Sequence, residues 1–212
     1  MITMLIVDDH PIYRAGVRQV LNESGELGLV AIEEADTGQE ALQLLSRKTF
    51  DVVLLDISMP GMSGLEVLKE IHTKGLAARV LVLSTYPEEQ YALEAIKNGA
   101  AGYITKQGVY HELVTAVRQV LEGRMYVTPN VAQQLVREIR GEMGCAPHQR
   151  LSVREYEVIR LIASGKSTKE IANILSISKS AVSTYRARAL EKMNLRSNAE
   201  LIRYAVKHGL VD

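Results

Sequence analysis

Two short apolar runs end in carboxylates, and that arrangement restricts the fold more than any other feature of the chain. Met4-Leu5-Ile6-Val7 stops at Asp8-Asp9, and Val52-Val53-Leu54-Leu55 stops at Asp56. Runs this short, rich in β-branched residues and lacking polar alternation, mark strands covered on both faces. Such strands belong to parallel sheets, whose crossovers need helices. The first two-thirds of the chain complies. Strands are predicted near 4–7, 29–33, 52–55, 80–83 and 102–104, with helices near 12–22, 37–46, 64–74, 88–98 and 111–122. Five strand-then-helix units predict an α/β fold, a doubly wound five-stranded parallel sheet.

Ligands of open parallel sheets collect beyond the carboxyl ends of the strands. Asp8, Asp9 and Asp56 are placed there. A charge at the exit of a buried strand is paired, metal-bound or reactive. Three carboxylates at one rim describe a site for a hard divalent cation such as Mg²⁺, with one acid to spare. A carboxylate is also a competent nucleophile toward a phosphoryl group. That transfer is mostly positioning and charge neutralisation, so it needs donors and cations around the incoming oxygens. Ser84, after Val80-Leu81-Val82-Leu83, offers a hydroxyl. Lys106, after Tyr103-Ile104-Thr105, offers an ammonium.

These residues resemble the receiver domain of bacterial two-component response regulators. The resemblance spans about residues 1–122. It rests on Val7-Asp8-Asp9-His10, on Leu55-Asp56-Ile57-Ser58-Met59-Pro60-Gly61-Met62-Ser63-Gly64, on Leu83-Ser84, and on Gly99-Ala100-Ala101-Gly102-Tyr103-Ile104-Thr105-Lys106. It implies a flavodoxin-like receiver in which Asp56 accepts phosphate from a sensor histidine kinase. Asp8 and Asp9 would hold Mg²⁺ together with Asp56 and the backbone carbonyl of Ser58. Ser84 and Tyr103 would form a switch pair, the hydroxyl turning toward the phosphate and the ring moving inward.

Net charge is zero over 212 residues, but the average hides a split. Residues 1–150 carry 14 Lys and Arg against 19 Asp and Glu, a balance of −5; residues 151–212 carry 11 against 6, a balance of +5. A basic third joined to an acidic remainder suggests a second domain that meets a polyanion. Residues 129–140 read as a further helix with Pro129 in its first turn. Gly141 to Arg150 reads as a flexible linker with the single cysteine, Cys145, as a bystander thiol. The expected organisation is therefore 1–122, a helix and linker over 123–150, and a smaller all-α domain over 151–212. No run is long and apolar enough to span a bilayer and no signal peptide is recognisable, so a cytoplasmic protein is expected.

Within 151–212, Ser152-x-x-Glu155, Ser167-x-x-Glu170 and Ser197-x-x-Glu200 each precede an apolar run, as helix-capping boxes do. Residues 168–192 have the spacing of a helix-turn-helix, a short helix, a turn at Ser176-Ile177, then a longer helix. At about 100° per residue, Val182, Ala189, Leu190 and Met193 share one side of the longer helix. Ser180, Ser183, Thr184, Ala187 and Arg188 share the other, a small, polar and basic face suited to a major groove. Lys166, Lys169, Lys179, Arg186 and Lys192 flank it as phosphate contacts, joined by the helix start at Ser167-Thr168. In the last helix, Leu201, Ile202, Ala205 and Val206 are either a dimer contact or plain domain packing.

This segment resembles the LuxR-type helix-turn-helix of NarL/FixJ-class response regulators. The matching residues include Leu151-Ser152-x-Arg154-Glu155, Gly165-Lys166-Ser167-Thr168-Lys169-Glu170-Ile171-Ala172, Ile177-Ser178, Val182 and Arg196-Ser197-Asn198-Ala199-Glu200-Leu201. The family often has Lys at Ser183 and His at Tyr185; Ser183-Thr184-Tyr185-Arg186 is nearer the GacA/UvrY subgroup. The resemblance implies a non-enzymatic transcriptional regulator that binds double-stranded promoter DNA as a homodimer when phosphorylated. Two rivals differ in class. A Mg²⁺-dependent phosphohydrolase using Asp56 would want a second acid two residues on, where Ser58 stands. A non-DNA interaction module would use its basic helices on acidic proteins or RNA.

Overall fold

The computed structural model describes residues 1–25, 27–28, 30–107, 109–140 and 146–211. The chain forms two compact units, Met1–Met143 and Gly144–Asp212. The first contains β1 (Ile2–Val7), α1 (Pro11–Glu23), β2 (Val30–Ala35), α2 (Gly38–Arg47), β3 (Val52–Asp56), α3 (Gly64–Thr73), β4 (Val80–Ser84), α4 (Glu88–Lys97), β5 (Gly102–Thr105), α5 (Val109–Leu121) and α6 (Pro129–Ile139). The five strands are parallel, as the alternation predicts, and stand in the order β2-β1-β3-β4-β5. β3 and β4 are buried at every position, and the inner part of β1 likewise. On one face, Met4, Ile6, Val52, Leu54, Leu81, Leu83 and Ile104 pack with Val17 and Leu21 of α1 and with Leu113, Ala116, Val117 and Val120 of α5. The alternate residues Leu5, Val53, Leu55 and Val82 are equally buried on the opposite face.

Element limits differ from expectation where polar residues blur the pattern. β2 runs to Ala35, beyond the predicted end at 33, because its edge position tolerates Glu33 and Glu34, which pair with Lys48 and with Arg14 and Arg18. Its predicted start at Leu29 lies outside the described residues. The helix expected between the domains, α6, packs with the first unit. Thr128 and Glu88 are hydrogen-bonded, Asn130 donates to Glu89 at 2.7 Å, and Lys97 pairs with Glu138.

The second unit holds a 3₁₀ turn (Pro147–Arg150), α7 (Val153–Ala163), α8 (Thr168–Ile174), α9 (Lys179–Lys192) and α10 (Asn198–Lys207). Within 141–150, read as a flexible linker, residues 147–150 form the 3₁₀ turn; Gly141 to Cys145 lie outside the described residues. Pro147 presets the turn, the Gln149 side chain accepts from the Ala146 N–H at 3.0 Å, and His148 Nδ1 lies 2.8 Å from the Tyr204 hydroxyl. Ser152 and Ser167 form full capping boxes with Glu155 and Glu170. The third is offset. Ser197 accepts from the Glu200 N–H, but the Glu200 carboxylate reaches the N–H of Arg196, one residue earlier. The turn between α8 and α9 places Ser176 at φ +52°, and the Ile177 N–H donates back to Ala172 O at 3.0 Å. That is a Schellman closure with serine in the left-handed position usually given to glycine.

Candidate functional site

β1 and β3 are neighbours in register, so Asp8 follows Val7 at the rim where Asp56 ends β3. Asp8 and Asp56 are each 1 % exposed, an environment that raises the free energy of a bare carboxylate. Lys106 offsets this. Its Nζ lies 2.7 Å from Oδ2 of Asp8 and 2.7 Å from Oδ2 of Asp56, with the hydrogen bond directed at Asp56. The same ammonium stands 4.4 Å from the ring centroid of Tyr13. β5 brings Lys106 there because the ladder continues past its end, the Lys106 N–H donating to Ser84 O at 2.6 Å.

Backbone N–H groups hold the other carboxylate oxygens. Asp8 Oδ1 accepts from His10 N at 2.8 Å, and Asp56 Oδ1 accepts from Ser58 N at 3.2 Å. Burial pushes the Asp56 carboxyl up to about 6; Lys106 opposes this, and the like charge of Asp8 adds to it. Asp9 completes the group at the edge, partly exposed, with its Oδ1 2.8 Å from His10 Nδ1. Ligand atoms of Asp8, Asp9, His10 and Asp56 all lie within 4.8 Å of one another. Asp8 Oδ2, beside the Lys106 ammonium, and Asp9 Oδ1, beside the His10 imidazole, are buried yet accept no well-aligned hydrogen bond among the described residues. Hard oxygen donors in that condition fit a divalent cation. His10 stands in the quoted motif but sequence reasoning gave it no role; its adjacency to Asp8-Asp9 was the available signal.

Ser84 is fully buried, and its Oγ accepts from Tyr86 N at 3.1 Å. Tyr103 is buried too, and its hydroxyl donates to Tyr86 O at 3.0 Å. Burial raises the Tyr103 phenol far above its ordinary range, with the neighbouring Ser84 hydroxyl opposing. Both side chains thus converge on the turn after β4. A cavity of about 510 Å³ opens beside Lys106, lined by His10, Ile12, Tyr13, Thr85, Lys106 and Gln107.

One positional requirement escaped the sequence reading. A Cβ on Gly64 would lie 2.0 Å from the carbonyl oxygen of Asp56, and the Gly64 N–H donates to Ile57 O at 2.9 Å. Only glycine lets α3 start against the end of β3. Ser63 caps that helix reciprocally with Glu66.

In the second unit, Val182, Ala189, Leu190 and Met193 are buried, as the angular analysis of α9 requires. Lys166, Ser167, Thr168, Lys169, Lys179, Ser180, Ser183, Thr184, Ala187 and Arg188 are exposed, and Tyr185 and Arg186 are half-buried. Ser183 and Thr184 donate to the carbonyls of Lys179 and Ser180, which fixes their hydroxyls on the helix surface. Two cations have local partners. Arg186 Nε donates to Asn198 Oδ1 at 2.6 Å, and Lys192 Nζ lies 2.6 Å from the buried carboxylate of Glu155. In α10, Leu201 and Ala205 are fully buried, whereas Ile202 and Val206 are 40 % and 59 % exposed.

Comparison with known proteins agrees with both halves. Residues 4–118 match the response regulator receiver domain, and residues 149–205 match the bacterial regulatory proteins of the luxR family. The response regulator UvrY of Escherichia coli is 35% identical over 211 residues, covering 99% of this chain and 96% of that protein. The response regulator GacA of Pseudomonas aeruginosa is 36% identical over 213 residues, covering 100% and 99%. Among solved structures, RcsB from Salmonella enterica serovar Typhimurium, bound to promoter rprA in the presence of phosphomimetic BeF3⁻, has a TM-score of 0.61 at 25% identity, covering 96% of this chain and 98% of that one. Among described residues, no helix is long and apolar enough to cross a membrane. The chain belongs to the LuxR family of two-component response regulators, a receiver joined to a helix-turn-helix DNA-binding domain.

Proposed function

We propose that Asp56 is the phosphoacceptor of a cytoplasmic transcriptional switch. The observation that carries this is Lys106 Nζ at 2.7 Å from the carboxylates of both Asp8 and Asp56. A carboxylate oxygen of Asp56 attacks the phosphorus of a phosphohistidine on a sensor kinase. The P–N bond breaks, the P–O bond to Asp56 forms, and the kinase imidazole leaves with the electron pair. Asp8, Asp9, Asp56 and the Ser58 carbonyl are assigned to holding Mg²⁺, which when bound neutralises charge on the phosphoryl oxygens. Lys106 pairs with a phosphoryl oxygen, and the Ser84 hydroxyl turns from the Tyr86 N–H to donate to another. Tyr103, already inside, is held by Tyr86, and the pair biases a two-state receiver.

We assign residues 1–122 to the receiver, 123–150 to a helix and linker that include α6, and 151–212 to the effector. α9 enters the major groove of promoter DNA. Ser180, Ser183, Thr184, Tyr185, Ala187 and Arg188 face base edges, while Lys166, Ser167, Thr168, Lys169, Lys179, Arg186 and Lys192 contact the phosphates. Two effectors bind paired half-sites about one helical turn apart as a homodimer. The exposed Ile202 and Val206 are consistent with α10 contributing to it.

A promoter-wide binding map of the wild type beside Asp56→Ala tests the switch. Lost or weakened occupancy is expected in the variant; unchanged occupancy rules out phosphorylation as the switch. The phosphohydrolase alternative is separated by incubation with a phosphoester, which an enzyme turns over many times and a receiver does not. The non-DNA alternative is separated by duplex affinity, which is expected to fall steeply with added salt and to depend on sequence.

A further inference from the structure

Asp8 and Asp9 are consecutive and follow the end of β1 at Val7; a strand continued through them would point their side chains to opposite faces. Both carboxylates nonetheless join one cluster, with ligand atoms within 4.8 Å of each other. The peptide between them therefore leaves the pleat, and something must hold it. The ladder from β2 ends at Asp8, whose N–H donates to Ala35 O at 3.1 Å. The Asp8 carbonyl, which is the oxygen of the Asp8–Asp9 peptide, accepts from Nη1 of Arg14 at 2.5 Å.

Arg14 is itself fixed. Its side chain, on the first turns of α1, is 15% exposed, and its Nε donates to Glu34 Oε2 at 2.9 Å. Glu34 belongs to β2, opposite Ile6 of β1, and its other oxygen lies 3.0 Å from Arg18 Nη1. One edge of the planar guanidinium is thus locked to β2 while a second nitrogen is aimed at the Asp8–Asp9 peptide. A lysine has one nitrogen and no such fork.

We infer that Arg14 is a positioning residue for the cation site, turning the Asp8–Asp9 peptide so that both carboxylates converge on one divalent ion, with Glu34 setting the guanidinium. This rests on the proposed role of Asp8, Asp9 and Asp56 as Mg²⁺ ligands. In the structure Arg14 hydrogen-bonds neither Asp56 nor Lys106, so it governs metal affinity and leaves phosphoryl transfer unchanged once the metal is bound. Outer-shell partners of this kind change metal affinity by about 10–100-fold.

The test titrates Mg²⁺ alone by calorimetry into the full-length wild type, R14Q, R14K and E34Q, with the unfolding midpoint of each measured in parallel. Phosphoryl uptake from acetyl phosphate is then followed across Mg²⁺ concentrations. The expected result is a dissociation constant raised about tenfold or more in R14Q and R14K and several-fold in E34Q. Uptake at saturating Mg²⁺ should stay within about twofold of wild type, a split that general loosening of the fold would not give. A folded R14Q that binds Mg²⁺ like the wild type overturns the inference. So does a variant slowed at saturating Mg²⁺ with its affinity intact. Should R14Q not fold, an unchanged affinity in folded E34Q overturns it. Absence of Mg²⁺ binding by the wild type would instead sink the reading of the three aspartates, and this inference with it.

Discussion

Replacing Asp56 by Asn should stabilise the metal-free receiver, although it removes the proposed reactive group. In the folded chain the carboxyl is raised to about 6 from 3.8, chiefly by burial and against the pull of Lys106. Between those two values the folded state keeps a proton that the unfolded state has lost. Stability contributed by this group is therefore fully present below about pH 4 and declines as pH rises, and above about pH 7 the ionised group destabilises the fold at full strength. A shift of about two units corresponds to about 3 kcal/mol. Asn keeps an acceptor for the Ser58 N–H but gives Lys106 a weaker partner, so about 1–2 kcal/mol is the expected gain. The assay is urea unfolding at pH 7.5 in EDTA, read by hydrogen exchange of the β1 and β3 peptides so that the effector unit does not contribute. Repeating it at pH 4.5 should shrink the difference, because the wild-type carboxyl is then largely protonated. Adding Mg²⁺ at about ten times its dissociation constant should stabilise the wild type by about 1.4 kcal/mol and the variant by less. A variant no more stable than wild type at pH 7.5, or a gain that does not shrink at acid pH, would refute the argument that burial strains this carboxylate.

Other substitutions probe the remaining contacts. Gly64→Ala should cost about 3 kcal/mol or more and slow phosphoryl uptake, since its Cβ would meet Asp56 backbone at 2.0 Å; urea unfolding and phosphorylation gels read both. Ser176→Gly should stabilise the effector unit by up to about 1 kcal/mol in thermal unfolding, because glycine occupies the left-handed turn without strain. Lys192→Met should destabilise that unit by about 1–2 kcal/mol by leaving Glu155 without its cation. Lys192→Met and Lys169→Ala, both at proposed phosphate contacts, should each lower the salt slope of DNA binding by about one, whereas Arg188→Ala, at a base contact, should relax sequence preference; an unchanged slope in Lys192→Met would show that its pairing with Glu155 keeps it from phosphate.

The sheet and its rim were legible in the sequence because burial on both faces leaves a local mark. Four-residue apolar runs stopping at Asp8 and Asp56 need no distant information. The buried side of α9 was legible for the same reason, since Val182, Ala189, Leu190 and Met193 obey a fixed period. What the sequence withheld depends on contacts between distant residues. β2 looked two residues shorter because Glu33 and Glu34 break the apolar run, and their partners Lys48, Arg14 and Arg18 come from other elements. Gly64 stood at the end of the quoted motif without a role of its own; the carbonyl it makes room for, that of Asp56, belongs to another element of the chain. Lys192 looked like a free cation until Glu155, 37 residues earlier, was placed beneath it. Likewise, the contact of the turn at Pro147–Arg150 with Tyr204, through His148, is one that no local pattern reveals.

In the proposed cation site, the distribution of restraint makes the Asp8–Asp9 peptide the point to test. Asp8 and Asp56 each place one oxygen on a backbone N–H and the other beside Lys106, so both are fixed by neighbours on strands that cannot shift independently. Asp9 has neither restraint. It is partly exposed, and among the described residues its Oδ1 approaches the imidazole of His10, a side chain 67% exposed. Three carboxylates against one ammonium leave two formal negative charges at the rim, and repulsion would push the least restrained acid outward. A divalent ion balances that charge only if Asp9 is kept within reach. In that proposed site the peptide that precedes Asp9 is held by Arg14, whose Nη1 donates to the Asp8 carbonyl at 2.5 Å.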